Sequence, residues 1–242
     1  MMDRYDDIAQ YYDLVVRKGY YDYSELSNSL HSIIKGRKKI LEIGVGTGLL
    51  AEKLLAIEPN YDLTGMDITP SMLDIAKSRL GGKAKLLEGD VVSMDLPESF
   101  DVVYSNGGPI GFAKVGDDYH LGCFISNLED NAKALQKIAD CLVTRGLLVL
   151  NIESGRMVDF EENLENEIIF TQTVREYLVE GKEMYFIDKN YLVKQGDRIL
   201  ARAHCKFLRI YGKILEDMLI EAGFKLKEDA SNDLYLVYQK VG

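Results

Sequence analysis

The chain has 242 residues and a formal net charge of −10, and its 47% hydrophobic and 28% charged content is that of a globular protein able to bury a sizeable core. No apolar run approaches the ~20 residues that cross a bilayer, so no membrane span is expected, and a pI near 4.9 argues against a partner tracked through its phosphates, such as nucleic acid. The first seven residues lack the basic and apolar regions of a signal peptide, and Cys123, Cys141 and Cys205 are too few and too widely spaced for a disulfide or zinc framework, which makes a cytoplasmic location the expectation.

Along the chain, the first strong element is residues 40–50, where an apolar strand runs into a loop with three alternate glycines and then into a helix. Gly44 and Gly46 let backbone approach a ligand that a Cβ would push away, Gly48 allows the helix to pack closely on the strand, and the loop amides are expected to face the ligand. A dinucleotide fingerprint, G-x-G-x-x-G, would need its third glycine at position 49, but Leu49 stands there. Residues 61–66 read as a second strand ending at Asp67, an acid roughly 20 positions beyond the glycine loop and placed to accept hydrogen bonds from ribose hydroxyls. Thr69 suits a helix cap and Pro70 the first helical position. A third strand, residues 84–87, leads to Glu88-Gly89-Asp90-Val91, and a fourth, residues 100–104, ends at Ser105-Asn106.

Further on, Leu128, Ala132, Leu135, Ile138, Ala139 and Leu142 share one face of a predicted helix over 126–144, Arg145-Gly146 ends it, and 147–152 reads as a buried fifth strand. A polar bridge, 154–166, precedes three β-rich segments at 168–178, 182–194 and 198–211, separated by hairpin-like turns at Glu180-Gly181 and Gln195-Gly196-Asp197. A helix over 212–222, a glycine cap at Gly223 and a last strand over 234–240 complete the chain.

With Glu42 two residues ahead of Gly44, the loop reads E-x-G-x-G-x-G, which resembles motif I of the class I S-adenosylmethionine-dependent methyltransferases, and the following motifs extend the resemblance over roughly residues 35–155. The resemblance implies a doubly wound α/β, Rossmann-like seven-stranded methyltransferase sheet with an antiparallel β insertion, or lid, after the fifth strand. It implies S-adenosylmethionine as cofactor and S-adenosylhomocysteine as product. In it Glu42, Gly44, Gly46 and Gly48 belong to the cofactor site, Asp67 holds the ribose, Ile68 and Met72 lie against the adenine, Asp90 and Val91 meet its edge, and Ser105 and Asn106 lie beneath the transferred methyl. The expected divisions are an N-terminal helical cover over 1–36, a cofactor-binding domain over 37–155 and 212–242, and the lid over 156–211.

The insertion sits at the carboxyl edge of the sheet, where an acceptor enters, and so resembles that of small-molecule N-methyltransferases of the glycine N-methyltransferase and amino-sugar dimethyltransferase types. Their N-terminal pattern is similar to Ile8-Ala9-Gln10-Tyr11-Tyr12-Asp13 with Asp22-Tyr23 beyond, which implies that Tyr12 and Tyr23 reach the methionyl end of the cofactor or the acceptor; packing of an amphipathic helix is the other reading. The amino-sugar enzymes carry a histidine where this chain has Gly111-Phe112. His204, with Tyr185, is expected on the inner face of the lid, an exposed strand histidine being the alternative. Tyr11, Tyr12, Asn106 and His204 are candidate orienters of the acceptor, and spacing assigns no single general base.

The expected activity is in-line transfer of the methyl group to a small-molecule acceptor, an amine nitrogen first; a peptide or oxygen acceptor, or a non-catalytic S-adenosylmethionine-binding protein, remain alternatives. No metal is expected, because Asp117-Asp118 sits in a polar loop without a third ligand. Ser105-Asn106-Gly107-Gly108-Pro109 differs from the Asn-Pro-Pro-Tyr of nucleic-acid amino methyltransferases, and Arg37-Lys38-Lys39 reads as a solvated strand entrance, so nucleic acid is not an expected partner. A homodimer is left open.

Overall fold

A computed structural model describes residues 5–18, 21–96, 99–153 and 157–241. A 3-10 turn, Tyr5–Ile8, opens into α1 (Ala9–Arg17), and α2 (Tyr23–Ile34) follows, its first turn capped by the Asp22 carboxylate accepting from the amides of Ser24 and Glu25. Then come β1 (Lys39–Ile43), α3 (Leu49–Ile57), β2 (Asp62–Asp67), α4 (Pro70–Leu80), β3 (Lys85–Glu88) and β4 (Phe100–Ser105). Pro70 takes the first helical position as expected, but the Thr69 side chain makes no cap; its amide donates to Asp67 instead.

Beyond β4 the chain departs from the expected order. A hairpin of β5 (Ile110–Val115) and β6 (Asp118–Cys123) stands where a loop was expected, closed by the two-residue turn Gly116-Asp117. It is followed by α5 (Leu128–Cys141), β7 (Leu142–Glu153), β8 (Phe160–Asn163), β9 (Ile168–Leu178), β10 (Met184–Gln195), β11 (Arg198–Ile210), α6 (Gly212–Glu221), β12 (Phe224–Leu226) and β13 (Tyr235–Lys240). The fifth strand of the core, β7, begins at Leu142 because Arg145, at a φ of 64°, bulges rather than ends it, and the register against β4 shifts there. The expected polar bridge contains β8, an acid-rich edge strand on β9, and β12 is a further short strand that pairs β13.

The core sheet runs β3-β2-β1-β4-β7-β13-β12, with β13 antiparallel to its neighbours. Its central strands are apolar on both faces, as a sheet covered by helices on each side demands. Leu41, Val103 and Leu148 face Leu135 and Ile138 of α5 and Leu215 of α6, while Ile40, Val102 and Val149 face Leu30 and Ile34 of α2 and Leu54 of α3. Each such fully buried side chain contributes about 1.5–3 kcal/mol.

At one end of β7 the sheet continues through β5 into an antiparallel run, β5-β6-β11-β10-β9-β8. The antiparallel layer thus draws on residues 110–123 as well as on the insertion, and it is continuous with the core sheet. Its inward face, including Ile187, Val193 and Phe207, packs on Ile8 and Val15 of the N-terminal segment. Among the described residues no helix is long and apolar enough to cross a membrane, and no three His, Cys, Asp or Glu side chains converge as a metal site.

Candidate active site

A cavity of about 450 Å³ opens at the carboxyl ends of β1, β2 and β4, roofed by the N-terminal segment and walled on one side by β11. The glycine loop lies at its floor. Gly44, at a φ of 77°, has no room for a Cβ, which would sit 2.4 Å from Cδ of Pro109 and 2.7 Å from Cα of Gly108, so the loop after β4 closes directly over it. Gly46, at a φ of 53°, has open space above it. The loop amides do not face a ligand as expected: those of Gly44 and Val45 donate to the Met66 carbonyl at 2.7 and 3.0 Å, that of Gly48 to the Val45 carbonyl at 2.9 Å, and that of Gly46 to Asp67 Oδ2 at 2.8 Å. Gly48 lies outside the cavity and admits α4 rather than the strand, since a Cβ would lie 3.3 Å from Ala76 and Leu80.

Asp67 ends β2 at the cavity wall, with Oδ1 accepting from the Thr69 amide at 2.9 Å. Burial raises its carboxyl above the usual aspartate range, and the amides of Thr69 and Gly46 oppose that rise. Ile68 and Met72 line the same end of the cavity, as do Asp90 and Val91; Asp90 Oδ1 accepts from the Val92 amide at 2.9 Å and holds the turn after β3.

Glu42 also lines the cavity, is buried, and accepts a hydrogen bond from the Tyr104 hydroxyl at 2.8 Å. Burial pushes its carboxyl up to about 8, only partly offset by that bond. Tyr12 and Tyr23 face the cavity here, joined by a hydrogen bond between their hydroxyls; burial, with the Asp67 carboxylate nearby, pushes the Tyr12 phenol up to about 12. Asn106 Oδ1 accepts from the Tyr235 hydroxyl at 3.1 Å, and its Nδ2 is buried with no hydrogen-bond partner among the described residues. Ser105 is buried against Gly108 and lies outside the cavity.

On the β11 wall, His204 reaches the cavity together with Cys205 and Lys206, and its Nε2 lies 3.7 Å from Asp188 Oδ1. Tyr185 does not reach it: its hydroxyl meets His120 Nδ1 at 3.2 Å, farther along the sheet. The sequence reading missed Tyr5, Phe124 and the 107–109 loop, which line the cavity, and Asp13, which anchors its roof by accepting from the Thr47 hydroxyl at 2.7 Å and pairing with Arg79. The alternate-glycine spacing points at the loop; nothing in the sequence pairs Asp13 with Thr47.

The carboxylates, tyrosines and unpartnered Asn106 amide suit a hydroxylated, cationic ligand of the size of a nucleoside. Residues 40–146 match the family model described as a methyltransferase domain. A malonyl-[acyl-carrier protein] O-methyltransferase of Ilyobacter polytropus is 33% identical over 184 residues, covering 62% of this chain and 68% of the relative. Among solved structures, an S-adenosylmethionine-dependent methyltransferase from Clostridium acetobutylicum superposes with a TM-score of 0.68 at 17% identity over 98% of this chain and 99% of that one. An amino pentose methyltransferase from Micromonospora echinaspora, solved with S-adenosylmethionine bound, gives 0.63 at 17% identity over 95% and 96%. These two share the fold. The sheet order, the glycine loop with Asp67, and a relative matched over more than two thirds of its length together place the chain in the class I S-adenosylmethionine-dependent methyltransferases.

Proposed function

We propose that the enzyme transfers the methyl group of S-adenosylmethionine to an amine nitrogen of a small molecule. The cofactor supplies a sulfonium methyl already activated for displacement, so the protein has to align the acceptor and exclude water. On this reading Asp67 accepts from the ribose hydroxyls, Ile68 and Met72 flank the adenine, Asp90 and Val91 meet its edge, and Glu42, Tyr12 and Tyr23 surround the methionyl end. Asn106 offers its unpartnered Nδ2, and His204 orients the acceptor from the β11 wall. The N-terminal segment acts as cover and the antiparallel layer as the acceptor-side wall.

The observation that carries the amine reading is the protonation of the groups at this end. With its phenol pushed up to about 12, Tyr12 keeps its proton at neutral pH, as Tyr23 does, and the Asn106 amide is a donor without a partner among the described residues, so these groups offer protons rather than accept one. An alcohol acceptor needs a neighbour that removes its proton during transfer, whereas the lone pair of a free amine does not. The amino pentose methyltransferase of the same fold is in keeping with this. A carboxylate oxygen is the second reading: it too arrives without a proton to lose, and the Ilyobacter relative is named as an O-methyltransferase.

The test is release of S-adenosylhomocysteine from labelled cofactor with matched panels of small amines, alcohols, carboxylates and peptide N-termini. Turnover of small amines with alcohols left untouched supports the reading. Turnover of alcohols or peptides alone, or no turnover while S-adenosylhomocysteine still binds, overturns it, the last outcome in favour of a non-catalytic binding protein.

A further inference from the structure

Beneath α1, a smaller annex of about 50 Å³ adjoins the main cavity, and Tyr5, Tyr12, Gly107 and Phe124 line both. Its walls are otherwise aromatic and aliphatic, with two exceptions, Lys189 of β10 and Glu153 at the end of β7. A lysine there is unusual, since its neighbours on that face of the sheet, Ile187 and Tyr191, belong to an apolar cluster, and an ammonium taken from water is costly unless something compensates it.

The compensation within the protein is incomplete. Lys189 is 4% exposed, its Nζ lies 5.1 Å from the centre of the Phe207 ring, and among the described residues no carboxylate comes within ion-pair distance of it. Glu153 is the acid that acts on it, but Glu153 is already held by Arg209, whose guanidinium NH2 group donates to Oε2 at 3.0 Å. Arg209 is 2% exposed and fills the space left by Gly122, where a Cβ would sit 2.0 Å from the guanidinium. Burial lowers the Lys189 ammonium below the usual lysine range, with Glu153 opposing and Arg209 adding to that effect; the one nearby carboxylate is engaged by Arg209, and Lys189 has no ion-pair partner of its own among the described residues.

We propose that Lys189 is a specificity residue that receives a carboxylate group of the methyl acceptor, so that the substrate is a small organic acid, its reacting atom in the main cavity and its acid group in the annex. The inference rests on the proposed function above, in which the acceptor stands in the main cavity near Asn106, and Gly107 beside it lines both the main cavity and the annex. The annex, at about 50 Å³, admits little more than the acid group itself, which leaves the adjoining carbon skeleton at the junction with the main cavity, among Tyr5, Tyr12 and Phe124. An aminated acid would satisfy both this charge and the amine reading; an acid methylated on its own carboxylate would have that group at the sulfonium and leave Lys189 unmatched.

The experiment uses the full chain loaded with S-adenosylhomocysteine, whose binding is first measured by calorimetry. Formate, acetate, propanoate and benzoate are then titrated against their amides, with thermal unfolding as readout. The expected result is saturable stabilisation by at least one carboxylate and none by its amide. The same stabilisation should be lost in Lys189→Met, with affinity down by about tenfold to a hundredfold, and retained in Lys189→Arg, while affinity for S-adenosylhomocysteine is unchanged in both. No binding of any carboxylate, equal binding of the amides, or undiminished binding in a folded Lys189→Met protein overturns the proposal; the wild-type comparison decides if that variant does not fold. Failure of S-adenosylhomocysteine to bind at the outset would instead count against the cofactor site.

Discussion

The Asp13 carboxylate of α1 accepts a hydrogen bond from the hydroxyl of Thr47, in the glycine loop, at 2.7 Å, and Arg79 of α4 binds both residues, reaching the Thr47 carbonyl at 2.6 Å. One polar cluster therefore ties the roof of the cavity to its floor. Both charged side chains are largely buried, at 20% and 12% exposure, so the pair is not dispersed by solvent as a surface ion pair would be.

Asp13→Ala should loosen the roof without touching the ligand. Loss of a hydrogen bond to a charged group costs about 1.5–3 kcal/mol. The expected outcome is faster dissociation of S-adenosylhomocysteine in stopped-flow measurements. Asp13→Asn, which keeps an oxygen acceptor for Thr47, should fall between the wild type and Asp13→Ala. Unchanged dissociation in a folded Asp13→Ala protein would mean that the roof opens independently of this cluster.

Asp67 has two tasks that one substitution can separate. It holds the loop through the amides of Gly46 and Thr69, and on the proposed reading it also holds the ribose. Asp67→Ala should weaken binding of S-adenosylhomocysteine by about 1.5–3 kcal/mol and lower the unfolding temperature as well, since the partly buried amides of Gly46 and Thr69 lose their acceptor. S-adenosylhomocysteine and its 2′-deoxyribose analogue should bind the variant almost equally while differing in the wild type, which calorimetry would read directly. Tight binding of NAD by the wild type would contradict the cofactor reading itself.

The parts of the molecule that obey simple periodicity were legible in the sequence. The strands that place Glu42, Asp67 and Ser105 are apolar runs ending in glycines or acids, and the helices between them carry one apolar face. The β5–β6 hairpin was not legible because the positions that would complete its alternation are Gly111 and Gly122, kept small by Asn151 and Arg209 pressed against them. Lys189 was hidden for a related reason: a lysine on the inner face of a strand reads as an outward residue, and only the tertiary arrangement of Glu153, Arg209 and Phe207 explains it. The glycine loop was recognised correctly while its physics was not, since Gly44 answers to Pro109 and Gly48 to α4, and the amides turn inward.

Glu42 gives a pH dependence with a definite sign. Its carboxyl is raised from 4.5 to about 8 in the folded chain, so between these values the native state binds a proton that the unfolded state has released. Stability conferred on the fold is therefore greatest at the acid end of that window, falls as pH rises through it, and levels off above about 8, an effect on the order of a few kcal/mol. Glu42→Gln keeps an acceptor for the Tyr104 hydroxyl and removes the titration. Urea unfolding across the window should show a shallower decline in the variant than in the wild type; parallel curves would mean that Glu42 is ionised throughout.

His204 and Tyr185 stand on neighbouring strands, yet only one of them should affect catalysis. His204 reaches the cavity, whereas Tyr185 bonds to His120, whose ring stacks on Tyr211 with centroids 4.6 Å apart. His204→Ala should raise the acceptor KM or lower kcat while leaving S-adenosylhomocysteine affinity intact, because Gly46, Asp67 and Asp90 form a separate part of the cavity. Tyr185→Phe should leave both kinetic constants at wild-type values and cost about 0.5–1.5 kcal/mol of stability, the usual net worth of one hydrogen bond. Steady-state kinetics with calorimetry and urea unfolding on both variants would separate the two roles. A catalytic defect in Tyr185→Phe with none in His204→Ala would move the acceptor along the sheet toward His120 and overturn the assignment of His204 to the acceptor.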